Sequence, residues 1–185
     1  MAASAQTILP SSPPPAEAKR ISLEEYLRTS YQPDCDFVDG ELEERNMGER
    51  EHSVLQIALG AWFFNRRSDW RIVVMSEQRT RVSADRIRLP DVCVVSSDAP
   101  FEKVTLTPPL IAIEILSPED RIHRVIQRFD DFLQMGVANL WLLDPIDRTA
   151  FIYTKDGLRL AEGPRLTIPD SPIYLDLPEI FSALD

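Results

Sequence analysis

The sequence predicts an α/β or α+β fold, a mixed β-sheet flanked by helices, and three observations predict it. Residues 89–95 and 110–116 are short apolar runs rich in β-branched side chains and bounded by prolines or polar residues, the pattern of buried strands. In residues 119–136, Ile122, Val125, Ile126, Phe129, Phe132 and Leu133 recur at three- and four-residue spacing and form one apolar helix face. Residues 140–145 are a further apolar run, so strands and helix alternate, an order that packs as layers around a sheet.

The first two strands each contain one carboxylate, Asp91 and Glu114. An ionised carboxylate in a dry strand costs several kcal/mol unless it is paired, hydrogen-bonded or bound to a metal. Both residues therefore require a cationic partner.

The chain has 185 residues, with 30 acidic and 20 basic side chains and a net charge of −10. That length is expected to form one domain over residues 20–185, behind a flexible Pro/Ala/Ser-rich tail over 1–19. The tail has neither the basic start nor the apolar core of a signal peptide. No window approaches the roughly twenty apolar residues that cross a bilayer, so a cytoplasmic protein is expected, without a membrane partner. The acidic balance argues against a broad, nonspecific grip on nucleic acid and leaves room for a local basic patch. Cys35 and Cys93 form no Cys-x-x-Cys pair and read as reduced and structural. With His52 and His123 as the only histidines, a zinc site would need distant ligands, and none is expected.

Taken in order, residues 21–29 read as a short helix with Ser22 as N-cap and Glu25 in the capping-box position. Residues 37–42 read as a hairpin turning at Asp39-Gly40. Glu41 follows that turn and is either an exposed hairpin carboxylate or part of a site. Residues 54–65 have helical periodicity and are expected to be a core helix ending near Asn65, with His52 in its first turn. A histidine there caps or packs more often than it takes part in chemistry.

Residues 70–75 read as a strand, followed by a hairpin around 83–85 that leads into the Asp91 strand. Arg79, Arg81, Arg86 and Arg88 alternate along the hairpin, so each pair projects from one face of its strand. Two readings are open: a surface that contacts phosphates, or a solvated ribbon whose arginines pair with neighbouring acids. For the long helix, Ser117 is the expected N-cap, Pro118 the first helical residue and Gly136 the left-handed stop. Arg121, Arg124 and Arg128 fall on a stripe beside its apolar face. They either lean toward the strand carboxylates or make weak surface pairs. Residues 149–154 pair with 140–145, residues 155–157 turn into 158–162, and 173–181 are expected to cover a sheet edge with a short helix.

A Pro-Asp followed about two dozen residues later by an acid in an apolar strand, and then by a helix, resembles the PD-(D/E)XK restriction-endonuclease-like superfamily. The set Asp39-Gly40-Glu41, Glu51-His52, Pro90-Asp91-Val92, Glu114-Ile115-Leu116-Ser117-Pro118, Gly136-Val137 and Trp141-Leu142-Leu143-Asp144-Pro145 is similar to the Uma-type putative restriction endonuclease family. The resemblance spans residues 21–184. It implies a restriction-endonuclease-like fold and an endonuclease that hydrolyses DNA phosphodiesters with a metal-bound water.

On that resemblance Asp91 and Glu114 hold Mg²⁺, with Mn²⁺ as a substitute, Glu41 adds an auxiliary carboxylate and His52 is a further auxiliary residue. Arg79, Arg81, Arg86, Arg88 and Arg124 are then candidate DNA contacts by their own placement, and a homodimer follows by analogy with enzymes that cut both strands. The superfamily's lysine would stand at Leu116 or, in this branch, on the next helix, where Arg128 occurs. Arginine can stabilise phosphate charge but cannot accept a proton from water. The alternative is therefore a weakened or inactive nuclease fold that binds nucleic acid or protein, with the strand carboxylates held by arginines.

Overall fold

The computed structural model describes residues 20–45 and 49–185; the expected tail lies outside them. Helix α1 (Leu23–Arg28) begins at Ser22, whose hydroxyl accepts the Glu25 N–H at 3.1 Å. Strands β1 (Cys35–Val38) and β2 (Glu41–Glu44) form the expected hairpin. Asp39 and Gly40 both lie in the left-handed region, φ 52° and 92°, as a two-residue hairpin turn requires.

Helix α2 (Arg50–Trp70) has His52 in its first turn, as expected, and runs past the expected end near Asn65. The polar residues after Asn65 do not break it, because none is a proline or glycine, and Trp70 still has a packing partner in Phe63. It stops at Arg71, a left-handed residue whose N–H returns to the Arg67 carbonyl. Trp70, expected in a strand, is therefore helical, and β3 covers Ile72–Ser76.

Strands β4 (Thr80–Ser83) and β5 (Arg86–Arg88) complete a four-stranded antiparallel sheet, order β2-β1-β5-β4. Next come β6 (Val92–Ser96), β7 (Ile111–Ile115), α3 (Ile122–Met135), β8 (Asn139–Asp144), β9 (Thr149–Thr154) and β10 (Gly157–Leu160). With β3 these strands build a six-stranded sheet, order β10-β9-β8-β7-β6-β3, in which only β7 and β8 run parallel, across the α3 connection. The sheet is therefore mixed, with helices on both faces.

The pleat decides which side chain meets which helix. Ile111, Ile113 and Ile115 of β7 point toward Leu55, Leu59, Trp62 and Phe63 of α2, while Ala112 packs with Val125, Phe129 and Phe132 of α3. By that alternation Glu114 belongs to the α3 face. The register Val92↔Ile113 and Cys93↔Ala112, extended by one residue, sets Asp91 opposite Glu114. Asp91 itself stands just before β6, behind Pro90.

Two expectations about helices are corrected. The long helix starts at Ile122 rather than at Pro118, because Asp120 closes a turn with Ser117: its Oδ2 accepts the Ser117 N–H and its own N–H reaches the Ser117 carbonyl, both at 2.9 Å. Ser117 is thus not the N-cap, whereas Gly136 is the left-handed stop with φ 105°. At the C-terminal end, β11 (Arg165–Thr167) pairs with β12 (Tyr174–Asp176), and α4 (Leu177–Ser182) follows, capped by Asp176. Leu177, Ile180 and Phe181 enter the core shared with α2, so α4 covers a face of the large sheet rather than an edge. Among the described residues, no helix is long and apolar enough to cross a membrane.

Candidate functional site

Asp91 and Glu114 converge at the end of the β6–β7 pair, 3% and 0% exposed. Each meets cations from elements distant in sequence. Arg128 of α3 donates Nε to Glu114 Oε2 at 3.0 Å and sets Nη2 2.9 Å from the same oxygen. Arg45, at the end of β2, places Nη2 2.6 Å from Asp91 Oδ1 and 3.3 Å from Glu114 Oε2. His52, in the first turn of α2, sets Nε2 3.3 Å from Asp91 Oδ2, and the same oxygen accepts the Ile115 backbone N–H at 2.7 Å.

The two carboxylates share this positive charge unequally. Burial would raise the Asp91 carboxyl, but Arg45, His52 and the Ile115 N–H outweigh it and hold the group down at about 2. For Glu114 burial prevails: Arg128 and Arg45 offset it only in part, Asp91 and Asp36 add repulsion, and the group stands above the ordinary glutamate value. His52 loses basicity to burial and more than regains it from Asp91, so its imidazolium is favoured.

Satisfaction is incomplete at two atoms. Glu114 Oε1 and Arg45 Nη1 are buried and have no hydrogen-bond partner among the described residues, where the carboxylate nearest to Nη1 is Asp36 Oδ1 at 3.9 Å. A buried acceptor without a donor is costly and marks a place where a ligand would be welcome. Hard carboxylate oxygens from two residues, one of them orphaned, match what Mg²⁺ takes from a protein when waters and phosphate complete its shell. No cluster of three or more His, Cys, Asp or Glu able to hold a metal occurs among the described residues.

Two clefts reach Arg45, His52 and Asp91. One is lined by Glu43, Glu44, Ser117, Asp120, Arg124 and Arg128; the other, of about 590 Å³, by Tyr31, Asp34, Ser53, Gln56 and Glu77; Arg45, His52 and Asp91 border both.

Asp91, Glu114, Arg128 and His52 thus come together, and Arg124 lines the same cleft. Glu41 does not join them. It sits at the turn end of the hairpin, half exposed, 3.9 Å from Arg20, four residues of strand away from Arg45. Of the two readings open for the arginines of this hairpin, pairing with neighbouring acids holds for Arg86 and Arg88. Arg88 is 2% exposed and gives Nε to Asp131 at 2.7 Å and Nη1 to Asp36 at 3.0 Å and Glu43 at 2.7 Å. Arg86 pairs with Asp39 and Asp131. Arg79 donates to the Leu27 and Thr29 carbonyls and lies over the Tyr26 ring. Arg81 donates to the Ser83 and Ala84 carbonyls from an exposed position. The β5 pair faces inward because the carboxylates of β1 and α3 lie behind it, and a register shift between Arg81 and Ser83 breaks the alternation.

Arg45, Asp36, Asp120 and Asp131 were not singled out by the sequence. Asp36 carried the same signal as Asp91, an acid between apolar residues in a short strand, and Asp131 sits among the phenylalanines of α3. Arg45 carried none. Its neighbours in sequence are polar, and only the hairpin's direction brings it to the carboxylates.

A family model, Uma2, described as a putative restriction endonuclease, matches residues 23–182. Among solved structures, the crystal structure of a putative nuclease belonging to DUF820 from Anabaena variabilis superposes with a TM-score of 0.75 at 23% identity, covering 89% of this chain and 99% of that one. That likeness carries the fold: α+β, mixed sheets flanked by helices, of the restriction-endonuclease-like kind. The cryo-EM structure of a DrdV–DNA complex is similar at a TM-score of 0.41 and 16% identity, over 74% of this chain and 11% of that one. No curated protein matches. The family match covers most of the chain, the fold agrees with it, and Asp91 and Glu114 meet at one end of the central sheet: the chain belongs to the Uma2 family of putative restriction endonucleases.

Proposed function

We propose that the protein is a Mg²⁺-dependent DNA endonuclease, with Mn²⁺ able to replace Mg²⁺, and that Asp91 and Glu114 hold the ion. The observation that carries this reading is the buried, partnerless Glu114 Oε1 beside a second strand carboxylate. When bound, Mg²⁺ would activate a water and neutralise charge growing on the scissile phosphate. The chain's own residues do the rest. The Ile115 N–H and His52 fix the Asp91 carboxylate, and Arg128 fixes Glu114 through one hydrogen bond and a close ion pair. Arg124, on the cleft wall, supplies positive charge toward a phosphate. A two-fold homodimer would bring two such sites to the two strands of a duplex.

The test is nicking of supercoiled plasmid by the full chain with Mg²⁺ or Mn²⁺, against Asp91→Asn and Glu114→Gln. Loss of nicking in both variants, with folding intact, is expected. A folded wild-type protein that cuts with neither ion overturns the reading.

A second reading is favoured by one observation: Arg45 already bridges Asp91 and Glu114. In that case the fold is a binding module whose carboxylates are permanently neutralised. Metal-independent DNA binding, unchanged in Asp91→Asn, would support it.

A further inference from the structure

We propose that Arg45 is an exchangeable counter-cation: its guanidinium neutralises Asp91 and Glu114 while no divalent ion is bound, and gives up their oxygens to one that arrives. The inference rests on the metal-dependent reading above and adds a gate to it. Three features carry it.

The first is position. Arg45 Nη2 lies within hydrogen-bond reach of Asp91 Oδ1 and Glu114 Oε2 together, the place of a bridging cation. A divalent ion bridging the same two oxygens would stand a few ångströms from the guanidinium, and the repulsion between the two cations favours displacing it.

The second is incomplete pairing on both sides. Arg45 Nη1 and Glu114 Oε1 are buried and partnerless, so the contact leaves one donor and one acceptor unused. Arg88 makes the opposite case: Nε is spent on Asp131 and Nη1 on Asp36 and Glu43. Arg88 is a permanent ion-pair centre, whereas Arg45 is a partial fit. Arg128 is also firmly placed, with two nitrogens on one oxygen.

The third is tethering. Asp91 and Glu114 stand at the centre of the six-stranded sheet, but Arg45 follows an edge strand whose side chains are mostly exposed, and its own backbone N–H reaches the Asp34 carbonyl at 2.9 Å. The cleft of about 590 Å³ that Arg45 borders gives the guanidinium somewhere to go. Once displaced, it leaves a positive charge beside the site where a phosphate would enter.

With Arg45, Arg128 and the His52 imidazolium in place, the cations outnumber Asp91 and Glu114, and a divalent ion must compete. Replacing Arg45 by a neutral residue removes one of those positive charges and with it part of the repulsion that an arriving ion meets.

The experiment is calorimetric titration of Mn²⁺ into the full-length wild type and Arg45→Gln. It is paired with phenylglyoxal labelling of the wild type with and without Mn²⁺, mapped by mass spectrometry. Arg45→Gln is expected to bind Mn²⁺ at least about tenfold more tightly, the effect of removing one cation a few ångströms away. Mn²⁺ is expected to raise labelling at Arg45 severalfold and leave Arg88 protected. Equal or weaker binding by Arg45→Gln, or unchanged Arg45 labelling at an Mn²⁺ concentration that saturates the wild type, overturns the inference while the metal-dependent reading stands. Absence of binding by both folded proteins overturns the metal-dependent reading, and this inference with it. Should Arg45→Gln fail to fold, the labelling of the wild type decides alone.

Discussion

Asp91 Oδ2 accepts the Ile115 backbone N–H at 2.7 Å, so a side chain that faces the candidate cation site also supplies a strand-to-strand hydrogen bond of the central sheet. Asp91→Ala therefore leaves a buried amide without an acceptor and takes a carboxylate from Arg45. It is expected to cost about 3–5 kcal/mol, read as a lower urea midpoint, whereas Asp91→Asn retains an acceptor and costs less. Loss of nicking in Asp91→Ala alone would mix chemistry with unfolding; Asp91→Asn separates them.

Arg88 anchors the small sheet to α3 through Asp36 and Asp131, all three buried. Arg88→Ala is expected to destabilise by about 3 kcal/mol, since it takes the buried cation from two interior carboxylates and leaves Asp131 with Arg86 and Asp36 with the Leu89 N–H. Arg81→Ala, on the exposed side of the same hairpin, is expected to stay within about 0.5 kcal/mol of wild type. Equal effects at the two positions would refute the inward orientation of Arg88.

The metal-free protein should lose stability as pH rises above neutrality. His52 has a folded-state pKa raised above its ordinary 6.5, because Asp91 favours the imidazolium more than burial disfavours it. Its contribution is thus fully present below about 6.5 and lost as pH rises through the folded value. Melting temperature followed over about pH 6 to 8 should fall, and His52→Gln should flatten that slope. Asp91 acts in the opposite sense and at a different pH. Its depressed carboxyl contributes stability above 3.8 that is lost as pH falls toward about 2.

Cys93 is fully buried and its thiol is pushed up to about 12 by burial; Cys35 is buried and also raised, first by burial and then by neighbouring carboxylates. Neither presents thiolate near neutrality. An Ellman titration at about pH 8 should find no fast-reacting thiol in the native protein and two after unfolding. A fast-reacting native thiol would contradict the burial.

Much of the fold could be read from local pattern. Period-two and period-3.6 runs marked the strands and α3, Asp39-Gly40 marked its turn, and Gly136 its stop, because these depend on residues close in sequence. The misreadings have equally local causes. Asp120 competed with Ser117 for the start of α3, and α2 ran on because nothing in its polar end forbids a helix. Asp91 and Glu114 stood out because an acid in an apolar strand needs an explanation wherever the strand goes.

What filled that need was not written in any window of sequence. Arg45 and Arg128 lie 46 and 14 residues from the carboxylates they hold, and whether an arginine faces water or an interior acid depends on the strand or helix opposite it. Patterning decided that two buried carboxylates would require positive charge. Register, sheet order and the placement of α3 decided which side chains provide it, since ion pairs form between neighbours in space and the chain sets those only once it has folded.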